Sequence, residues 1–211
     1  MASLELVERV ANEQAGEVVS VFCDAFYYYP VFRYVLGADN PDYDIQLQKM
    51  IGLFVMARVL RNEPIFGIAR GARLVGAATT SIPDDQPPTA EFNALRDAVW
   101  SQLGDAARAR YERCVAAWQP LGMHVPQHHV NMIGVRYAFQ KFGLAGRLMA
   151  SVHEMSRASG FSHGVSLTTE DPQNVSFYEH LGYRIVGEGR ITPEIPTWGF
   201  FRYNDDYRSK E

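Results

Sequence analysis

Gln140-Lys141-Phe142-Gly143-Leu144-Ala145-Gly146 joins an apolar, strand-like run at 130–135 to a run of helical period at 148–158. A turn of small residues that opens a helix points several unpaired backbone N–H groups in one direction, with the positive end of the helix dipole behind them. Gly143 and Ala145 carry almost no side chain, so a phosphate can approach the main chain closely. The chemistry expected of this turn is the capture of an anion, a pyrophosphate above all. No Gly-Lys-Ser/Thr follows it, and the glycine spacing is not Gly-x-Gly-x-x-Gly, so neither the P-loop nor the dinucleotide fingerprint applies.

About thirty residues further on lies a second group, Asn174-Val175-Ser176-Phe177-Tyr178-Glu179-His180-Leu181-Gly182-Tyr183. Asn174 is expected to cap a short helix there. A third group, His124, His128 and His129, is either a solvated loop cluster or a source of a proton acceptor, since an imidazole titrates near neutral pH. No Asp or Glu nearby completes an ordered ligand set, so no metal is expected. If 127–135 is a regular strand, His129, Asn131, Ile133 and Val135 share one face.

Gln140, Gly143 and Ala145 fit Gln/Arg-x-x-Gly-x-Gly/Ala, and 174–183 fits Asn-x-x-(x)-Phe-Tyr-x-x-x-Gly-Phe/Tyr. In that order and at that distance, the two segments resemble the GNAT acetyltransferase superfamily. The likeness is nearest to its puromycin N-acetyltransferase-like branch, through Ala25-Phe26-Tyr27-Tyr28-Tyr29-Pro30, a helical insertion before the cofactor strand and Thr197-Trp198. The resemblance implies acetyl-CoA as cofactor. The turn from Gln140 through Lys141, Phe142, Gly143, Leu144, Ala145 and Gly146 would hold its pyrophosphate. Ile133 and Val135 would offer main-chain groups to the pantetheine arm, and Asn174 would stand beside it. Tyr178 would give a proton to the departing thiolate, and His129 would be the base. Asp24, Glu91 and Glu170 are other carboxylates that folding can bring to the acceptor. Tyr27, Tyr28, Asn131 and Trp198 would meet the acceptor amine. Lys141 stands where many members have glycine, and no proline follows Val135; the first departure should loosen cofactor binding without abolishing it.

The elements that must position these groups follow from periodicity. Strands are expected at 4–10, 65–69, 74–81, 127–135, 161–168, 183–190 and 197–203. Helices are expected from residue 12 to the Tyr27-Tyr28-Tyr29-Pro30 stop, at 42–61, over 89–118 with a bend near Gly104, at 148–158 with a stop at Gly160, and at 174–181. Arg147, His153, Glu154 and Arg157 should form the polar side of the helix at 148–158. The segment 82–88 breaks the sheet pattern. This order predicts an α/β (α+β) fold with a mixed, mostly antiparallel sheet of six or seven strands. One domain should span 1–211, with a helical insertion at about 83–125. The GNAT resemblance adds splayed central strands with helices on both faces.

With 47% hydrophobic and 21% charged residues, the chain can bury a sizeable core. Its net charge of −4, with Lys and Arg scattered, argues against a nucleic-acid binder. The apolar run at 50–60 is too short to span a bilayer, and no leader opens the chain, so a cytoplasmic setting is expected. Cys23 and Cys114 are expected as buried free thiols. The leading reading is acetyl-CoA-dependent acetylation of a small-molecule primary amine by direct transfer in a ternary complex; a homodimer is compatible with it. Protein or peptide N-acetylation, and a non-catalytic CoA sensor, stand as alternatives.

Overall fold

The computed structural model describes residues 6–82 and 87–205. The expected first strand therefore begins outside the described residues, as does most of the sheet-breaking segment. Seven strands form one sheet: β1 (Val7–Arg9), β2 (Ile65–Arg70), β3 (Arg73–Ser81), β4 (His128–Val135), β5 (Gly164–Thr169), β6 (Arg184–Thr192) and β7 (Ile195–Tyr203). Their order is β1-β2-β3-β4-β5-β7-β6. Every neighbouring pair is antiparallel except β4 and β5. That is the mixed, mostly antiparallel sheet the sequence predicts.

Helices cover both faces because alternate strand residues need apolar cover on each side. On one face lie α1 (Ala15–Ala25), α2 (Pro30–Leu36), α3 (Tyr43–Leu60), α4 (Ala90–Leu103) and α5 (Asp105–Trp118), around Phe22, Leu47, Met50 and Ile51. On the other lie α6 (Leu144–Ala158) and α7 (Gln173–His180), around Leu148, Met149, Val152 and Phe200. The insertion divides at Gly104, whose φ of 87° is open to glycine and costly to other residues. Thr89 caps α4, accepting from the Phe92 amide at 3.1 Å.

The helix expected from residue 12 stops at the tyrosine run as expected, with α1 ending at Ala25 and Tyr29 extended at ψ 133°; a further helix, α2, then opens with Pro30 at its first position, where its missing N–H costs nothing. Two local expectations are corrected. Asn174 is not a cap, because α7 already begins at Gln173, whose amide donates to Asp171 Oδ1 at 2.9 Å. His153 does not lie on the polar side of α6. It is buried, with Nε2 2.9 Å from the Tyr183 hydroxyl, and burial, with the charges of Arg202 and Arg157, brings its pKa down to about 3. Of the two free thiols Cys114 is buried and Cys23 half-buried; burial pushes them up to about 12 and about 11.

Candidate active site

The sheet opens at its one parallel joint. β4 and β5 pair only at His128 with Val165 and His129 with Ser166, and beyond these two positions no pairing joins them. Arg136 N donates to Val75 O on the β3 side, so by two-residue alternation Ile133 and Val135 turn their main-chain groups toward the gap. The Val135 carbonyl is taken there by Gln140 Nε2 at 3.1 Å, which ties the following turn to the strand.

The expected common face of His129, Asn131, Ile133 and Val135 is broken. Thr79 lies opposite Met132 while Thr80 lies opposite Val130, so Asn131 is an extra residue, a bulge. Parity reverses across it. Ile133 and Val135 pack toward α6, whereas Met132 packs toward α1 and α3, and His129 reaches Ser166 Oγ at 2.9 Å. Gly134 lets α1 close on this strand: a Cβ there would stand 2.8 Å from Ala25 Cβ and 3.2 Å from Phe22.

The turn after β4 is built to leave amides open. Gly143 has φ 76°, and the helical residue after it has the opposite hand, so successive N–H groups converge on one concavity. The first helical bond recorded at this end runs from Arg147 N to Gly143 O, leaving Leu144, Ala145 and Gly146 as orphan donors. A Cβ added at Gly143 or Gly146 would meet nothing within 4 Å. Lys141 also has a positive φ, 67°; a side chain there is strained where glycine would not be. A cavity of about 570 Å³ runs along the turn, lined by Lys141, Ala145 and Gly146 among others. Phe142 is 66% exposed and does not line it.

A second cavity, of about 280 Å³, opens on the α1–α5 face, and the two share Phe26, Tyr29, Ile133, Asn174 and Tyr178. Tyr178, from the middle of α7, is buried against Tyr183 and Phe200. Burial, reinforced by Glu170 and Asp171, pushes its phenol well above the ordinary value, so it keeps its proton at neutral pH. Asn174 Nδ2 donates to Thr169 Oγ1 at 3.2 Å at the same junction.

His129 and Asn131 line the second cavity. Burial, with the Arg58 charge, lowers the His129 imidazole to about 4. Asn131 donates to Ser81 Oγ at 3.2 Å and accepts from Arg58 at 3.4 Å. Tyr27, Tyr28 and Trp198 are not among the cavity's lining residues. Tyr27 packs edge-on against Tyr28 and Tyr43 beside an outer groove, and Tyr28 is 81% exposed. Of the three consecutive tyrosines, it is Tyr29, the last before α2, that reaches the cavity. Trp198 packs with the α6–α7 core, because strand alternation sends Thr197 the other way.

Thr197 leads to the group that the motifs did not single out. Glu170 is 4% exposed and lines the second cavity. It accepts from Thr197 Oγ1 at 2.6 Å, Trp118 Nε1 at 2.7 Å and the Tyr29 hydroxyl at 2.9 Å. Its own amide donates back to that hydroxyl at 2.9 Å. Burial raises its carboxyl against these three bonds. Its neighbour in sequence, Asp171, accepts from the Gln173 amide at the start of α7, and nothing in the local pattern tells one carboxylate from the other. Among the described residues no group of three or more His, Cys, Asp or Glu is placed to hold a metal ion.

Residues 110–197, from α5 through the start of β7, match the family model of the acetyltransferase (GNAT) domain. No curated protein matches the sequence. Among solved structures, the Corynebacterium glutamicum ATCC 13032 protein named histone acetyltransferase HPA2 and related acetyltransferase superposes with a TM-score of 0.65 at 15% identity, over 94% of this chain and 96% of that one. The polyamine N-acetyltransferase of Drosophila melanogaster, which forms N-acetylagmatine, gives 0.58 at 18% identity, over 94% and 99%. At such identities the superpositions speak for the fold alone. The stretch 110–197 is thus similar to an acetyltransferase (GNAT) domain, on a fold shared with solved acetyltransferase structures, which indicates an acyltransferase enzyme.

Proposed function

We propose that the protein is an acetyl-CoA-dependent N-acetyltransferase that acetylates a primary amine of a small molecule, by direct transfer with both reactants bound. One observation carries this reading: two cavities, one along the open amides of the Gln140 turn and one walled by aromatic rings, meet at Tyr178. GNAT acetyltransferases generally use acetyl-CoA, and the residues here fit it. Orphan amides at Leu144, Ala145 and Gly146 suit a diphosphate, the space above Gly143 and Gly146 is clear, and the β4–β5 gap leaves strand backbone for an extended arm. Bound there, acetyl-CoA supplies the activated acetyl group.

The chain's own residues then have distinct work. The helix end and turn hold and orient the cofactor, which accounts for much of the acceleration through positioning. Tyr178 holds a proton at Oη beside the junction and delivers it to the departing thiolate. His129 faces the acceptor as a neutral imidazole; with a pKa of about 4 it is a weak acceptor for the proton of an ammonium group of pKa about 10. The bound ammonium therefore loses one proton to water before attack, the second N–H proton departs through water and restores the Tyr178 phenol after transfer, and His129 serves as a wall and hydrogen-bonding group more than as a strong base.

Tyr111 and Trp118, both from α5, close the acceptor side, which supports a small molecule over a protein tail. The Ala25-to-Pro30 segment, the α4–α5 insertion and Thr197-Trp198 support the puromycin N-acetyltransferase-like branch. Thermal shift with acetyl-CoA, followed by thiol release over an amine library, tests the proposal. Saturable stabilisation and amine-dependent thiol release are expected; stabilisation without release from any amine would leave a sensor.

A further inference from the structure

Glu170 is a buried carboxylate held by three neutral donors, and no cationic side chain is recorded against it among the described residues. A buried charge without an opposite charge is costly. Of an ionised carboxylate's four or so lone-pair directions, three are filled, so about one remains open. Its donors come from three separate elements: the turn after α1, the end of α5, and β7. They fix the carboxylate's orientation without neutralising it.

The cavity's lining combines aromatic rings with the polar His129, Asn131, Thr169 and Asn174. Phe26, Phe54, Tyr111 and Trp118 supply rings, with Phe54 and Tyr111 centroids 5.6 Å apart and those of Tyr111 and Trp118 6.0 Å apart. Glu170 is the one charged residue among those lining it. We propose that Glu170 and this ring cluster form the acceptor's recognition site, and that the acceptor is a primary amine with a single positive charge on a flat, apolar body. The proposal rests on the acetyl-transfer reading and narrows it. Carboxylate and rings both favour an ammonium group. A polycation would find no second carboxylate in the lining for its further charges, and a heavily hydroxylated amine would present little apolar surface to the rings. The volume of about 280 Å³ lies near the lower end of small-molecule sites, which run from about 300 to 1,000 Å³.

The test uses the full chain with acetyl-CoA and phenethylamine, spermidine and glucosamine as acceptors, with phenethyl alcohol as a neutral competitor. Phenethylamine should show a KM at least roughly 10-fold below the other two amines, and should bind roughly 10- to 100-fold more tightly than the alcohol. Glu170→Gln should raise its KM by a similar roughly 10- to 100-fold, with kcat changed only a few-fold and the acetyl-CoA thermal shift retained. A purely structural Glu170 would instead lower kcat and folding stability for every acceptor alike. Equal binding of amine and alcohol, preference for spermidine, or an unchanged KM in Glu170→Gln each overturns the proposal. Should that variant fail to fold, the amine-to-alcohol ratio of the unaltered chain decides. Loss of the acetyl-CoA shift and of all thiol release would refute the acetyl-transfer reading instead, and calorimetry with phenethylamine would still judge Glu170.

Discussion

Ala145→Glu separates the helix from what the helix end is proposed to hold. Ala145 is in the first turn of α6, packed at the margin of the α6–α7 core and lining the larger cavity. A carboxylate in a first turn interacts favourably with the helix dipole by about 0.3–1 kcal/mol, so the free protein should lose little or no stability. A bound diphosphate would meet that same carboxylate at about 5 Å. Each unit charge then repels by about 1 kcal/mol in a water-like medium and about 3 kcal/mol at an effective dielectric constant of about 20. Two charges give about 2–6 kcal/mol, so acetyl-CoA should bind roughly 30-fold to 10⁴-fold more weakly. Ala145→Gln adds the same bulk without the charge. The difference between the two variants is therefore electrostatic, and must shrink between 0.1 and 1 M salt as the screening length falls from about 10 to about 3 Å. Isothermal titration at both salt concentrations measures it. If the Glu and Gln variants bind alike at low salt, the diphosphate is not seated on these amides.

Tyr178→Phe should lower kcat by roughly 10²- to 10⁴-fold while leaving the acetyl-CoA dissociation constant within a few-fold; undiminished turnover would remove the phenol from the proton-donor role. Gly134→Ala places a methyl 2.8 Å from Ala25 Cβ, so α1 must shift off β4. A loss of about 1–3 kcal/mol in urea unfolding is expected, and a neutral effect would contradict the close approach. His153 and His129 have folded pKa values of about 3 and about 4, below the unfolded value of about 6.5. The unfolded chain thus binds more protons, so stability is complete above pH 6.5 and falls as pH drops through that value toward 3–4. Each imidazole should cost about 2 kcal/mol between pH 7 and 5. His153→Gln, which still reaches Tyr183 with a polar group, should flatten that acid limb in urea midpoints; an unchanged limb would place the titration elsewhere.

Signals confined to one stretch of chain were legible before folding. Hydrophobic period located the seven strands and the long helices to within a few residues, and Gly104 and Gly160 marked stops because both take a positive φ. The Gln140 turn could be read because its property, amides left open at a helix start over small residues, belongs to consecutive atoms of the main chain. Where a prediction depended on parity it failed. One extra residue at Asn131 reverses every side chain beyond it, and bulges have no sequence period of their own. The same holds for Trp198, whose face depends on the register of β7 against β5.

The second cavity was decided by tertiary structure. Tyr29 rather than Tyr27 or Tyr28 enters it because α1 ends at Ala25 and α2 starts at Pro30, which sets the rotation of the turn between them. Glu170 gathers donors from residues 29, 118 and 197, separated along the chain by scores of residues. Hydrogen bonds of that kind arise only once the sheet is assembled, since each donor's direction is fixed by a different element. The sequence alone determined the fold class and the turn of open amides, both properties of local chain geometry. What the second cavity can recognise depended on which distant side chains packing brought around one carboxylate.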